Sequence, residues 1–391
     1  MADKKQLKEI LDKSIKYLED KEYSSYDVYD GLNNPLITKY IKNLLLRRVI
    51  IQINAKSPIN LRGTLGISPI IHTKTISDML SVYSKLFLEY KEPEYLEKAE
   101  KMFNLLLQRA TKTQIGKSWG LNFPYTSRFV NSGSETPNLY NTINSANAII
   151  DYYTITSDLK LKTYIIEIFK FIFDFLGVIN ESEEVSWIRY YPKQESTPVA
   201  NVNAMAAALF VRANSIFKEE IVNEDLIQKL INFIVKYQNP DGSWYYSTLK
   251  NGKWIDGFHT GFILESLVQI NSLSSKYNID KVLLKGASFY INNLITKEGV
   301  PKYFNNKLYP IESQNCAQAL LTLSLLNQTI GMKDKSLLDK TFNSILSNLY
   351  DQRGYFYHTK NSIFTNKHYY ARWSQTPMII SILHYLKNLN R

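Results

Sequence analysis

One unit recurs along this chain: a helix, a short turn, a second helix and a long loop, with a period of roughly 55–65 residues. Apolar residues fall at helical spacing over about 74–91 and 94–111, 137–155 and 158–178, 201–217 and 221–238, 259–276 and 279–296, and 313–330 and 335–350. A last helix is expected at about 375–390, and two earlier ones at about 3–20 and 35–52, the latter with Pro35 in its first turn. The first helix of each pair is small or apolar on most sides, as in Ala204-Met-Ala-Ala-Ala-Leu209, Gly261-Phe-Ile-Leu264 and Cys316-Ala-Gln-Ala-Leu320. Such a helix belongs inside, and its more amphipathic partner outside. Six inner helices alternating with outer ones describe an all-α fold, an (α/α)6 toroid. Residues 35–391 would form the toroid, with helix 35–52 as outer partner of the last inner helix and 1–34 as an N-terminal helical extension. An open superhelical array of helix pairs is the alternative. The ring is preferred because each long loop joins an outer helix to the next inner one, so all loops gather over one mouth.

The loops are of one chemical type. The first long loop carries Trp119-Gly-Leu-Asn-Phe-Pro-Tyr125 and Arg128. The next carries Trp187-Ile-Arg-Tyr-Tyr-Pro192, hence Arg189 and Tyr190, and leads to Asn201 and Asn203. A central loop holds Asp241, Trp244, Tyr245, Asp256 and His259; the one after it holds Tyr303, Tyr309 and Glu312, then Gln314 and Asn315. The last includes Tyr357, Tyr370, Arg372 and Trp373. Aromatic faces stack on the apolar face of a pyranose, while amides and guanidinium groups bond hydroxyls and carboxylates. Trp119 and Trp244 are the expected sugar platforms.

Three chemistries are open to these residues. His259, at the start of an inner helix, suits general acid–base work. Tyrosines beside arginines (Tyr190 by Arg189, Tyr370 by Arg372), with Tyr245 and Tyr309, offer stabilised phenolates for abstracting the proton alpha to a uronate carboxylate, which Arg189 or Arg372 would hold. Asp256 and Glu312, at equivalent places before adjacent inner helices, form a candidate hydrolase pair, or else two helix-end carboxylates.

Composition narrows the classes. The net charge of +11 attracts anionic partners, but the lysines are scattered and no nucleic-acid-binding motif occurs. A single cysteine, Cys316, excludes an intramolecular disulfide and a multi-cysteine metal site. The five histidines form no His-x-x-x-His pair, and neither a Rossmann nor a P-loop pattern appears, so no metal or cofactor is expected. No stretch is long and apolar enough to span a membrane, and no secretory h-region follows the N-terminus, which points to the cytoplasm.

Gln238-Asn-Pro-Asp-Gly-Ser-Trp244 resembles the Q-x-x-D-G-S-W element shared by terpene cyclases and other α/α-toroid proteins. The acidic motif of those cyclases is absent, as is the Cys/His zinc set of lanthionine cyclases and protein prenyltransferases. A longer set resembles the VpsJ-like polysaccharide-biosynthesis proteins: Asp241-Gly-Ser-Trp-Tyr245, Trp254-Ile-Asp-Gly-Phe-His-Thr-Gly-Phe-Ile-Leu-Glu-Ser-Leu267, Tyr309-Pro-Ile311 and Arg372-Trp373. That family is distantly similar to the catalytic part of glucuronyl C5-epimerases. The resemblance implies a cytoplasmic carbohydrate-active protein of bacterial capsule or surface-polysaccharide synthesis, working alongside polysaccharide-assembly enzymes. A glycoside hydrolase and a non-catalytic glycan-binding or scaffold subunit are the alternatives.

Overall fold

Four helices of the repeat are started by a side-chain cap written in the sequence. Asn138, Asn223, Asp256 and Glu312 each accept a hydrogen bond from a backbone N–H in the first turn that follows, satisfying donors that the helix itself leaves open. The computed structural model describes residues 4–389 apart from 112, 114, 193–196, 333 and 335. The expected helix ends at 3, 335 and 390 lie outside the described residues. The helices are α1 (Lys4–Asp20), α2 (Pro35–Tyr40), α3 (Leu44–Lys56), α4 (Thr73–Tyr90), α5 (Pro93–Gln108), α6 (Leu139–Thr156), α7 (Lys160–Lys170), α8 (Ala200–Phe217), α9 (Glu224–Lys236), α10 (Gly257–Leu273), α11 (Asp280–Phe289), α12 (Ser313–Thr329), α13 (Ser336–Leu349) and α14 (Thr376–Leu389).

The chain is an α/α toroid. Helices α4, α6, α8, α10, α12 and α14 pack each on the next, and α14 returns to α4 to close the ring. These inner helices are buried on most sides, with Ala204, Ala206, Ala207 and Ala208 letting α8 approach its neighbours closely. Outer helices α5, α7, α9, α11 and α13 each back the preceding inner helix.

The sixth outer helix differs from expectation. It is α1, which packs on α14 and buries Leu7, Ile10, Leu11, Ile15 and Leu18. The segment expected in that role, 35–52, is two helices broken at 41–43, where Asn43 accepts from the backbone N–H groups of Leu45 and Leu46 and starts α3. Of α2 nothing is buried, and of α3 only Ile51, Asn54 and Ala55 are. The apolar area decides: α1 has a continuous buried stripe, and the later segment has none to offer the ring.

Trp119 and Trp244 also depart from expectation. Both lie in the core, fully enclosed. Each indole N–H reaches the carbonyl of the preceding outer helix, Leu106 at 2.8 Å and Ile234 at 2.9 Å. They seal the joint between loop and outer helix and cannot serve as sugar platforms. Trp244 presses on Gly286, where an added Cβ would come within 2.6 Å of the ring.

Candidate active site

The mouth is assembled by a repeated hydrogen bond. The first residue of an inner helix donates its N–H to a carbonyl in the loop of the following repeat: Leu139 to Tyr190 (2.9 Å), Ala200 to Tyr246 (3.2 Å), Gly257 to Tyr303 (2.9 Å) and Ser313 to His358 (3.0 Å). This hook uses an N–H that the helix leaves unpaired, and α6, α8, α10 and α12 make it, while the first N–H of α4, at Thr73, goes to the Asn122 side chain. The second residues of five inner helices, Lys74, Tyr140, Asn201, Phe258 and Gln314, all face the axis and line one cavity of about 640 Å³. The hooked tyrosines Tyr190, Tyr246 and Tyr303 line its sides.

His259 lines this cavity. Its backbone N–H caps onto Asp256 Oδ1 at 2.9 Å, and its ring Nδ1 lies 2.7 Å from Asp256 Oδ2. Trp254 donates its indole N–H to the same Oδ2 at 2.9 Å. Asp256 is buried and spends both oxygens within this cluster. With Nδ1 engaged by the carboxylate, Nε2 is left to exchange a proton with a bound molecule. The imidazole is flanked by Tyr246, which stacks on Trp254 at 4.6 Å between ring centres. That pair, with Phe129 beside it, makes an aromatic wall of the kind sugars stack on. Opposite in character are Asn201 and Gln314, buried amides at the start of α8 and α12. The Asn201 carbonyl oxygen is buried with no protein partner, an acceptor for a hydroxyl.

The N-terminal segment supplies a further wall through Tyr29, a residue not expected at the mouth. Tyr29 packs edge-on against Trp373 at 5.2 Å and against Tyr125 at 5.9 Å. It is held there by Asp27, which takes two donors of Arg372, Nε at 2.5 Å and Nη2 at 2.7 Å. Arg372 holds the Asp27 carboxyl down to about 2 despite complete burial. A second buried arginine, Arg62, bonds Asp30 and the backbone carbonyls of Asp27 and Val28. Arg372 therefore lines the cavity with its charge already matched, which corrects the expectation that it is free to clamp a substrate carboxylate. Lys74 is likewise paired, with Asp78 at 2.5 Å.

Glu312 lies behind Trp373, not in the open cavity. It caps α12 through the backbone N–H groups of Gln314 and Asn315 and accepts the Trp373 indole N–H. Burial outweighs these donors and pushes its carboxyl up to about 7. Neighbouring His358, pushed down to about 3 by burial, stays neutral and adds no charge. Trp373 emission is therefore expected to titrate with a midpoint near about 7, as the acid below it becomes a carboxylate. The change should vanish in Glu312→Gln; a difference spectrum that keeps its midpoint in that variant would assign it elsewhere.

Of the residues singled out from the sequence, the structure brings Asp256, His259, Tyr190, Arg128, Asn201, Tyr303, Gln314, Arg372 and Trp373 to the cavity. The others go elsewhere. Asn203 braces the Ile188 backbone, and Arg189 bonds the Leu176 carbonyl. Asp241 caps the turn at Ser243. Tyr245 points outward beside Lys253, leaving the cavity to Tyr246. Tyr309 is half-exposed before Pro310. Tyr357 bonds Asp351, and Asn315 packs on Gly257. Tyr370 lies buried over Arg62, outside the cavity. The phenolate idea also changes: burial pushes Tyr190, Tyr246 and Tyr303 well up, and arginine offsets little of it. These phenols are donors, not bases.

No described protein family and no curated protein matches this chain at the level of sequence. Solved structures do match its fold. A cellobiose 2-epimerase from Bacillus thermoamylovorans aligns with a TM-score of 0.63 at 14% identity, over 81% of this chain and 87% of that one. A protein from Listeria innocua designated Lin0763 gives 0.64 at 13% identity over 98% of each chain. A glycosyl hydrolase of family 88 from Bacteroides vulgatus gives 0.58 at 10% identity, over 80% of this chain and 91% of that one. At these identities the likeness establishes the toroid.

Proposed function

We propose that this protein is a carbohydrate epimerase or isomerase that moves a proton at a carbon next to a carbonyl, with His259 Nε2 as the base. The observation that carries this reading is the Asp256–His259 pair at 2.7 Å, set beside an aromatic wall and in one cavity with the buried amides Asn201 and Gln314. Asp256 is the positioning residue: it fixes the ring and favours the imidazolium once the proton arrives. The C–H bond breaks, the proton goes to Nε2 and the electron pair spreads onto the carbonyl oxygen. Tyrosine O–H groups of the cavity, kept protonated by burial, stabilise that oxygen. Return of the proton to the other face, once the planar intermediate has turned over, gives an epimer; return to the former carbonyl carbon, with the neighbouring hydroxyl proton passing to the carbonyl oxygen, gives an isomer. Support also comes from the structural likeness to a cellobiose 2-epimerase, a sugar epimerase and a D-mannose isomerase.

A uronate version of this chemistry, with the proton taken from C5, is favoured by one observation. Of the cations lining the cavity, Lys74 and Arg372 are paired with Asp78 and Asp27, while among the described residues no ion pair engages Arg128. Arg128, exposed on the rim, would then be the carboxylate partner. A hydrolase reading has less to work with, since Asp256 and Glu312 direct their oxygens to helix caps and indoles.

The test is incubation in deuterium oxide with neutral and uronate-containing sugars, read by NMR. Deuterium at C2 of a reducing sugar supports the neutral version, and at C5 the uronate version. New reducing ends without exchange would move the assignment to hydrolysis. Binding without either reaction would leave a glycan-binding subunit, the role expected of a partner of polysaccharide-assembly enzymes.

A further inference from the structure

Beside the mouth lies a face that the ring does not use. Along α3, Leu45, Val49 and Ile53 fall one turn apart and point to solvent, 61%, 43% and 54% exposed. Leu36 and Tyr40 of α2 and Ile59 beyond α3 lie on the same stretch of chain, each more than three-fifths exposed. A soluble monomer rarely leaves so many large apolar side chains of one short segment uncovered. The charge on the same segment has one sign. Lys39, Lys42, Arg47, Arg48 and Lys56 punctuate it, and no acidic residue occurs between Asp30 and Asp78. A groove of about 680 Å³ between α3 and residues 125–128 continues the pattern, with Arg48, Lys56 and Arg128 in its lining and no carboxylate.

We propose that α2, α3 and the following turn form an interfacial anchor that seats the mouth of the ring on an anionic lipid bilayer. An apolar stripe on a helix flanked by Lys and Arg is the pattern that lies in the headgroup boundary, apolar side down. Among the described residues no helix is long and apolar enough to cross a membrane, so the contact is with the surface. A second copy of the chain fits poorly, because two such faces would bring five cations against five and each molecule carries a net +11. The geometry ties the anchor to the cavity: Gln52, Tyr125, Ser127 and Arg128 line both the groove and the cavity. Docking this face places the entrance at the headgroups. The inference rests on the surface alone and stands whether or not His259 is a base.

Flotation of the full chain with vesicles tests it. Binding is expected to phosphatidylcholine–phosphatidylglycerol vesicles and not to pure phosphatidylcholine, and to fall as salt rises. Leu45→Glu/Ile53→Glu should abolish it. Lys39→Gln/Lys42→Gln/Arg48→Gln should weaken it by roughly fivefold for each cation removed. All five side chains lie at the surface, and circular dichroism checks that the fold is kept. Failure of the folded wild type to bind the anionic vesicles overturns the proposal. So does binding that survives both variants. A dimer in sedimentation equilibrium that Leu45→Glu/Ile53→Glu dissociates, without vesicle binding, would assign the face to a second copy instead.

Discussion

His259→Asn is expected to lower turnover by about 10²–10⁴-fold, the usual contribution of a positioned acid–base group, while KM changes little. The ring of His259 packs beside Tyr246 and Phe258 at the edge of the cavity. Asparagine can fill part of that space and keeps the backbone N–H that caps onto Asp256. The fold should survive, which circular dichroism would show. Asp256→Asn provides the companion measurement. An asparagine still caps α10, so the helix stays. What changes is the group facing Nδ1: an amide in place of a carboxylate no longer favours the imidazolium. The expected result is a lower kcat with KM little changed. A merely structural Asp256 would leave kcat in place as long as the fold is kept. Deuterium exchange at wild-type rate in His259→Asn would sink the assignment of His259 as base.

Asp27→Ala is expected to destabilise the chain by about 3–5 kcal/mol, the cost of leaving a buried charge without its partner. The stranded group is Arg372, buried in the wall between Phe123 and Trp373. Urea unfolding would show the loss as a lower midpoint at an unchanged slope. The double variant Asp27→Leu/Arg372→Met should recover most of it, because removing both charges removes the desolvation cost. The pH dependence has a definite sign. The Asp27 carboxyl is depressed in the folded protein to about 2 from its ordinary 3.8. The stability it contributes is therefore present above about pH 4 and is lost as pH falls toward 2, roughly 2 kcal/mol in all. Asp27→Ala should flatten that part of the acid limb. If it unfolds at the wild-type midpoint, the clamp contributes nothing to holding Tyr29 in the wall.

Much of the architecture was legible because it is local or periodic. Helical spacing identified the inner helices, and their apolar faces implied a ring. The loops of one chemical type implied a shared mouth. His259 and Asp256 were legible for the same reason: they stand three residues apart at a helix start, where geometry is fixed by the cap. Tyr190 and Tyr303 belong to a recurrence, with Tyr246 between them, spaced by about one repeat. Reading that phase would have chosen Tyr246 over Tyr245, whose side chain the extended backbone turns to the opposite side.

What the sequence by itself determined is the set of parts: six buried helices, their caps, and loops carrying aromatics, amides and one well-placed histidine. The tertiary structure decided which parts face one another. Trp119 and Trp244 went to the core because a large indole gains most where loop meets outer helix, with a carbonyl to receive its N–H. Arg372 was matched to Asp27, 345 residues earlier, by ring closure, and Tyr29 entered the wall by the same contact. Helix α1, not α3, completed the outer ring, because burial rewards a continuous apolar stripe. Such pairings depend on distances across the fold, and periodicity within a segment carries no record of them.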